Sequence, residues 1–146
     1  MANKDLRNFL DEIEKIGELK NITGAETEED IGGIVDMYMR DLNNPAVLFD
    51  EVPGFPKGHR VLANIIMSRP RCAIALGLPP ESTEEDLIKW WRHYLGDAQN
   101  HDPVEVNGGP LVENVTEGEA VNIQGLPAPK WHEHDGGNFI GTGCIV

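Results

Sequence analysis

The chain has 146 residues, with 12 Lys+Arg against 25 Asp+Glu for a formal net charge of −13, and 40% of its residues are hydrophobic. That length suits one domain, or one domain and a piece of another, and the apolar content excludes a wholly disordered chain. The acidic balance argues against nucleic acid and anionic membrane surfaces as partners, because both reward an excess of Lys and Arg.

Taken in chain order, Leu6, Phe9, Leu10, Ile13 and Ile16 recur at offsets of three and four, which predicts a helix over residues 4–16 with Asn3 as N-cap and Gly17 at its end. A second helix is expected from Glu28 to about Leu42, with Thr27 and Asp30 as its cap pair and a stripe of Ile31, Ile34, Val35, Tyr38 and Leu42. Gly32 and Gly33 in its second turn weaken it by about 1 kcal/mol each. Either close packing or a late helix start accounts for them. Residues 46–49 and 61–66 read as buried strands, separated by the turn formers of residues 53–58.

Ser68, two residues before Pro70, opens a short helix that runs to Gly77. Residues 82–85 read as a capping box for a further helix through Leu87, Ile88, Trp91, Tyr94 and Leu95, closed by Gly96, with Trp91 in the core. From Asp97 onward the texture turns polar and turn-rich, with a hairpin-like Asn107-Gly108. Short β segments are expected at residues 111–115 and 120–123, and Phe139 to Val146 reads as an apolar, glycine-bearing strand. Its stop at Cys144-Ile145-Val146, with no polar tail, suggests a fragment of a longer protein or a strand that completes a sheet with something else.

The candidate chemistry is sparse. His132, Glu133, His134 and Asp135 form the densest titratable cluster, but zinc sites need three or four protein ligands at familiar spacings, so a polar loop is the better reading. The run from Gly136 to Gly143 matches neither GxGxxG nor a P-loop, although Thr142 among glycines could donate to a phosphate oxygen. Arg69 and Arg71 suit carboxylate or phosphate, and in so acidic a chain their expected partners are its own carboxylates. No nucleophile with its base and no usable carboxylate pair is visible. Cys72 and Cys144 are too few for a disulfide framework, no apolar run approaches the roughly 20 residues of a membrane span, and the first residues lack a secretory signal. The expected location is the cytoplasm.

One resemblance organises these segments. Residues 5–7 with Phe9-Leu10, residues 17–19, 45–49 and 52–54, residues 68–71 with 75–77, residues 109–113, and above all Pro129-Lys130-Trp131-His132-Glu133-His134-Asp135-Gly136-Gly137-Asn138-Phe139-Ile140 resemble, in order, the N-terminal half of UbiD-family decarboxylases. The resemblance implies an α/β (α+β) chain: a small N-terminal α/β domain over residues 1–110, then residues 111–146 as the first strands of a flavin-binding split β-barrel. It implies reversible decarboxylation of an aromatic or α,β-unsaturated carboxylic acid with prenylated FMN, a divalent metal (typically Mn²⁺) and K⁺, in an oligomer. It carries over Thr142, flanked by Gly141 and Gly143, as residues facing the cofactor, and no catalytic or metal-binding residue. The family's metal-holding Asn and its Glu-Arg-Glu constellation would fall after Val146. The chain alone is therefore expected to be inactive and to bind prenylated FMN weakly or not at all. The alternative is a non-catalytic interaction subunit that completes a partner's flavin-binding barrel.

Overall fold

The computed structural model describes residues 5–97, 102–109 and 112–141. Helix α1 (Leu6–Lys15) leads to strand β1 (Leu19–Thr23), helix α2 (Asp30–Met39), strands β2 (Ala46–Asp50) and β3 (Val61–Ala63), and helices α3 (Arg69–Ala75) and α4 (Glu84–Asp97). The three strands form one mixed sheet in the order β1-β2-β3. β1 runs parallel to β2, with Leu19 beside Ala46 and Thr23 beside Asp50. β3 returns antiparallel, with Val47 beside Ala63. The parallel pair requires a crossover, and α2 supplies it.

β2 is buried along its first four residues, and its period of two sends alternate side chains to opposite faces of the sheet. Val47 and Phe49 join Ile31 and Val35 of α2 in one core cluster, together with Ala25, Val52 and Ala63. Ala46 joins Phe9 and Ile13 of α1 and Ile74 of α3 in another. Val47 and Phe49 therefore face α2, while Ala46 faces α1 and α3.

The ends of α1 and α3 follow the same physics. Asp5, not Asn3, caps α1, its carboxylate accepting from the Asn8 amide at 2.9 Å. Gly17 then takes φ +77°, and the Gly17 and Glu18 amides donate to the carbonyls of Glu14 and Ile13. Ser68 caps α3. Gly77, at φ +74°, closes it with the equivalent pair of bonds to Ile74 and Ala73. Both are Schellman endings, which need a left-handed residue that glycine adopts without cost.

Several expectations change. α2 begins at Asp30 rather than Glu28, because the Asp30 carboxylate accepts from the Glu26 amide and holds the preceding turn out of the helix. The α4 cap is displaced by one residue: the Thr83 hydroxyl accepts from the Asp86 amide, and Asp86 accepts in return from the Thr83 amide and hydroxyl at 2.9 and 2.7 Å. Those bonds hold the Asp86 carboxyl below its ordinary pKa. Trp91 is not core. It is 47% exposed, because α4 meets little beyond α3.

β1 was not anticipated, since only Leu19 and Ile22 are apolar in it. Residues 112–115, 120–123 and 139–141 contain no strand; instead 3₁₀ turns occupy Gly118–Ala120 and Ile123–Gly125. A strand needs a neighbour for its N–H and C=O groups, and no described strand lies beside these segments. Asn107 sits in a bend, not a hairpin.

Candidate functional site

The most connected polar group is Arg71, which is fully buried. The Schellman ending of α1 delivers Glu18 to it, and the Arg71 guanidinium pairs with the Glu18 carboxylate. It also donates to the carbonyls of Ile65 at 3.1 Å and Asn44 at 2.7 Å. The Ser68 hydroxyl donates to the same carboxylate at 2.8 Å. Burial lowers the Arg71 pKa, with Glu18 opposing the shift. The expected pairing of arginine with the chain's own carboxylates thus holds for Arg71, while Arg69 binds the carbonyls of Ser82 and Pro80. With each of its three guanidinium nitrogens bonded inside the chain, Arg71 is a structural tie rather than a substrate clamp.

The titratable cluster at residues 132–135 forms a closed turn. The Asp135 carboxylate accepts from the His132 amide at 2.9 Å and lies 3.6 Å from His132 Nδ1, and the Asp135 amide donates to the His132 carbonyl. No group of three or more metal-ligating side chains converges among the described residues. The described residues therefore offer no ready-made cluster of side chains for a divalent cation. Trp90 stacks on Tyr94 with ring centroids 5.0 Å apart, and Trp91 meets Trp90 edge-on at 5.3 Å. The Cys72 thiol donates to the Ile66 carbonyl. An open cleft of about 390 Å³ between α1 and the turn after α3, rimmed by Glu12, Lys15, Pro79 and Pro80, gathers none of the candidate residues.

Residues 127–139 fold back onto the α/β unit. Pro127 and Pro129 are buried, and Trp131 packs against the α2-side core cluster. The Lys130 amide donates to the Thr27 carbonyl at 2.9 Å and the Phe139 amide to the Pro129 carbonyl at 3.2 Å. The Trp131 indole N–H donates to the Phe139 carbonyl at 3.1 Å. Asn138 Nδ2 donates to Glu28 Oε1 at 2.8 Å and to the Ala128 carbonyl at 3.0 Å. Gly32 lets the two pieces touch: a Cβ there would collide with the Trp131 carbonyl oxygen and lie 2.8 Å from its carbon. Gly33 has open space instead. Of the cofactor-facing candidates, Gly141 lies in an exposed turn at the end of this segment, while Thr142 and Gly143 fall outside the described residues. Gly32, Glu28 and Asn138 were not among the sequence-derived candidates, and the glycine pair in a helix was the available signal.

The described residues form a helix-flanked mixed sheet with a proline-rich segment folded back on it, and comparison with known proteins gives the family. Residues 10–91 match the 3-octaprenyl-4-hydroxybenzoate carboxy-lyase N-terminal domain, and residues 103–146 match the Rift-related domain of the same enzymes. The chain belongs to the UbiD family. It is 33% identical to a pyrrole-2-carboxylic acid decarboxylase of Pseudomonas aeruginosa, over 94% of this chain and 29% of the relative. It is 35% identical to a phenolic acid decarboxylase of Streptomyces sp. strain D7, over all of this chain and 31% of the relative. The vanillic acid decarboxylase of Sedimentibacter hydroxybenzoicus in its open form, with a truncated second component, superposes with a TM-score of 0.82 at 28% identity, over 96% of this chain and 30% of that one. The chain thus spans about 30% of the length of the relatives it matches.

Proposed function

We propose that the chain is the N-terminal portion, or a small subunit, of a carboxy-lyase that reversibly decarboxylates an aromatic or α,β-unsaturated carboxylic acid with prenylated FMN, Mn²⁺ and K⁺. The observation that carries this reading is the ordered match of two consecutive stretches to the two UbiD domains, with relatives named for pyrrole-2-carboxylic and phenolic acids. In this reading residues 1–110 are the first domain and residues 111–146 open the flavin-binding barrel. Thr142, with Gly141 and Gly143, lies toward the cofactor, the assembly is an oligomer, and it works in the cytoplasm. Prenylated FMN, when bound, supplies the electrophilic chemistry that lets CO₂ depart. This chain's own residues build the scaffold and carry the glycine-rich run; the proton donor and the carboxylate-binding arginine come from elsewhere.

The test is a chimera in which this chain replaces the matching stretch of the Pseudomonas relative, with CO₂ release from pyrrole-2-carboxylate measured after loading with prenylated FMN, Mn²⁺ and K⁺. Turnover is expected from the chimera and none from the 146-residue chain alone. Turnover by the isolated chain, or a folded but dead chimera, overturns the reading.

A second reading, a non-catalytic subunit that completes a partner's barrel, is favoured by the exposed Val104, Val106, Val121, Ile123 and Ile140. Gel filtration separates the two readings. A subunit forms a defined complex with a partner, whereas a lone module runs as a monomer or a polydisperse mixture.

A further inference from the structure

The fold-back of residues 127–139 has a construction that burial alone does not require. A tryptophan docked on an apolar core could be held by packing in several nearby settings, since contact area is not directional. Here one close steric contact and three sets of hydrogen bonds act on one short segment. The backbone at Lys130 and Trp131 rests against the bare Cα of Gly32, where any side chain would force it away. The Lys130 amide is bonded to Thr27, just before α2. Asn138, eight residues past Lys130, spans from Glu28 to the Ala128 carbonyl and so fixes the returning limb against both the outgoing limb and the approach to α2. The Trp131 indole then bonds the Phe139 carbonyl, closing the loop across its mouth.

We infer that Gly32, Trp131 and Asn138 form a clasp that positions the described part of the glycine-rich run, residues 136–141, against the start of α2, making Gly32 and Asn138 positioning residues for it. The run is intrinsically loose: Gly136, Gly137 and Gly141 have nothing within 4 Å of where a side chain would begin. A backbone so permissive holds a fixed course only if its ends are held. The clasp holds the end nearest Asn138, four residues before Thr142 in the sequence. That this course serves a cofactor rests on the function proposed above; that the clasp fixes it does not.

The experiment is amide and indole hydrogen exchange on the full 146-residue chain, which needs no cofactor. Gly32→Ala is expected to speed exchange at the Lys130 and Phe139 amides and the Trp131 indole by about tenfold or more, with the β2 amides unchanged, because local opening is separable from global unfolding. Gly33→Ala, one residue on, is expected to leave both sets at wild-type rates. Equal acceleration in β2 would make Gly32 a general support of the fold and overturn the proposal, as would unchanged rates at residues 130 and 139. Should Gly32→Ala fail to fold, Asn138→Ala asks the same question without touching α2, and the same two outcomes decide it. Asn138→Asp is expected to open the clasp by facing Glu28 with a like charge, and a Glu28→Gln change in the same chain to restore part of the protection. Absence of that recovery would count against Asn138–Glu28 as a directional link. A chimera without turnover would leave these exchange results standing, and unchanged exchange would leave the family reading standing.

Discussion

Residues 5–97 and residues 102–141 use their apolar side chains in opposite ways. In the first stretch Ile13, Ile31, Val47 and Phe49 are fully enclosed by the sheet and its helices. In the second, Val104 and Val106 are 84% and 72% exposed, and burial concentrates at Pro127 and Pro129, where the segment touches the first stretch. The difference teaches that hydrophobicity alone does not order a segment. A β-rich apolar run becomes structure only where a neighbouring strand or helix face accepts it. The α/β unit contains its own acceptors, and the second stretch borrows one.

The sharpest way to break this contrast is at Arg71. Arg71→Ala leaves Glu18 and the carbonyls of Asn44 and Ile65 without their partner. The expected loss is about 3–5 kcal/mol, because the two carbonyls lose their donor and Glu18 keeps only the Ser68 hydroxyl and partial solvent. Urea denaturation followed by far-UV circular dichroism measures it, and a loss no larger than that of a surface substitution would show the tie to be dispensable.

A paired truncation tests the two stretches directly. Phe49→Ala should cost about 3 kcal/mol or more, as expected when a buried ring leaves a cavity. Val106→Ala should stay within about 0.5 kcal/mol in the isolated chain, as for other exposed positions. Comparable losses would mean that Val106 is enclosed in solution and that the contrast is false.

The smallest effect is expected at the start of α4. The Thr83 hydroxyl and amide hold the Asp86 carboxyl below its ordinary pKa. A group whose folded pKa is depressed stabilises the folded state above its unfolded pKa, and that contribution disappears as pH falls through the folded value. Helical signal from α4 should therefore decline as pH falls from the usual aspartate range through the depressed value of Asp86, and Thr83→Ala should make that decline smaller. An acid limb identical in Thr83→Ala and wild type would exclude this cap as its source.

What was legible in the sequence divides along the same line. α1, α3, β2 and the first half of the expected strand at 61–66, which ends at Ala63, follow from local pattern: apolar offsets of three and four, a Ser68 cap, and glycines where helices end. The family resemblance was legible too, because its motifs are contiguous. β1 was not, since its order comes from parallel pairing with β2 rather than from Lys20, Asn21 or Thr23. Trp91 misled because it lies on the same helical stripe as Leu87 and Leu95, and a stripe does not say whether anything faces it. The partnership of Glu18 with Arg71 crosses 53 residues of chain, and that of Asn138 with Glu28 crosses 110. Charge composition pointed to a carboxylate for Arg71, yet only the three-dimensional course of the chain selects which one.

The buried guanidinium also bears on how the unit assembles. Its acceptors at residues 18, 44 and 65 arrive from three separate parts of the chain, so an incomplete arrangement traps a permanent cation without counter-ion or water. Compact intermediates that bury Arg71 before its acceptors are in place should be penalised, so the closing steps are expected to occur together. Nascent chains emerging from the ribosome short of α3 should accordingly stay open, and the sheet should become resistant to protease only once Arg71 has been translated and has found all three.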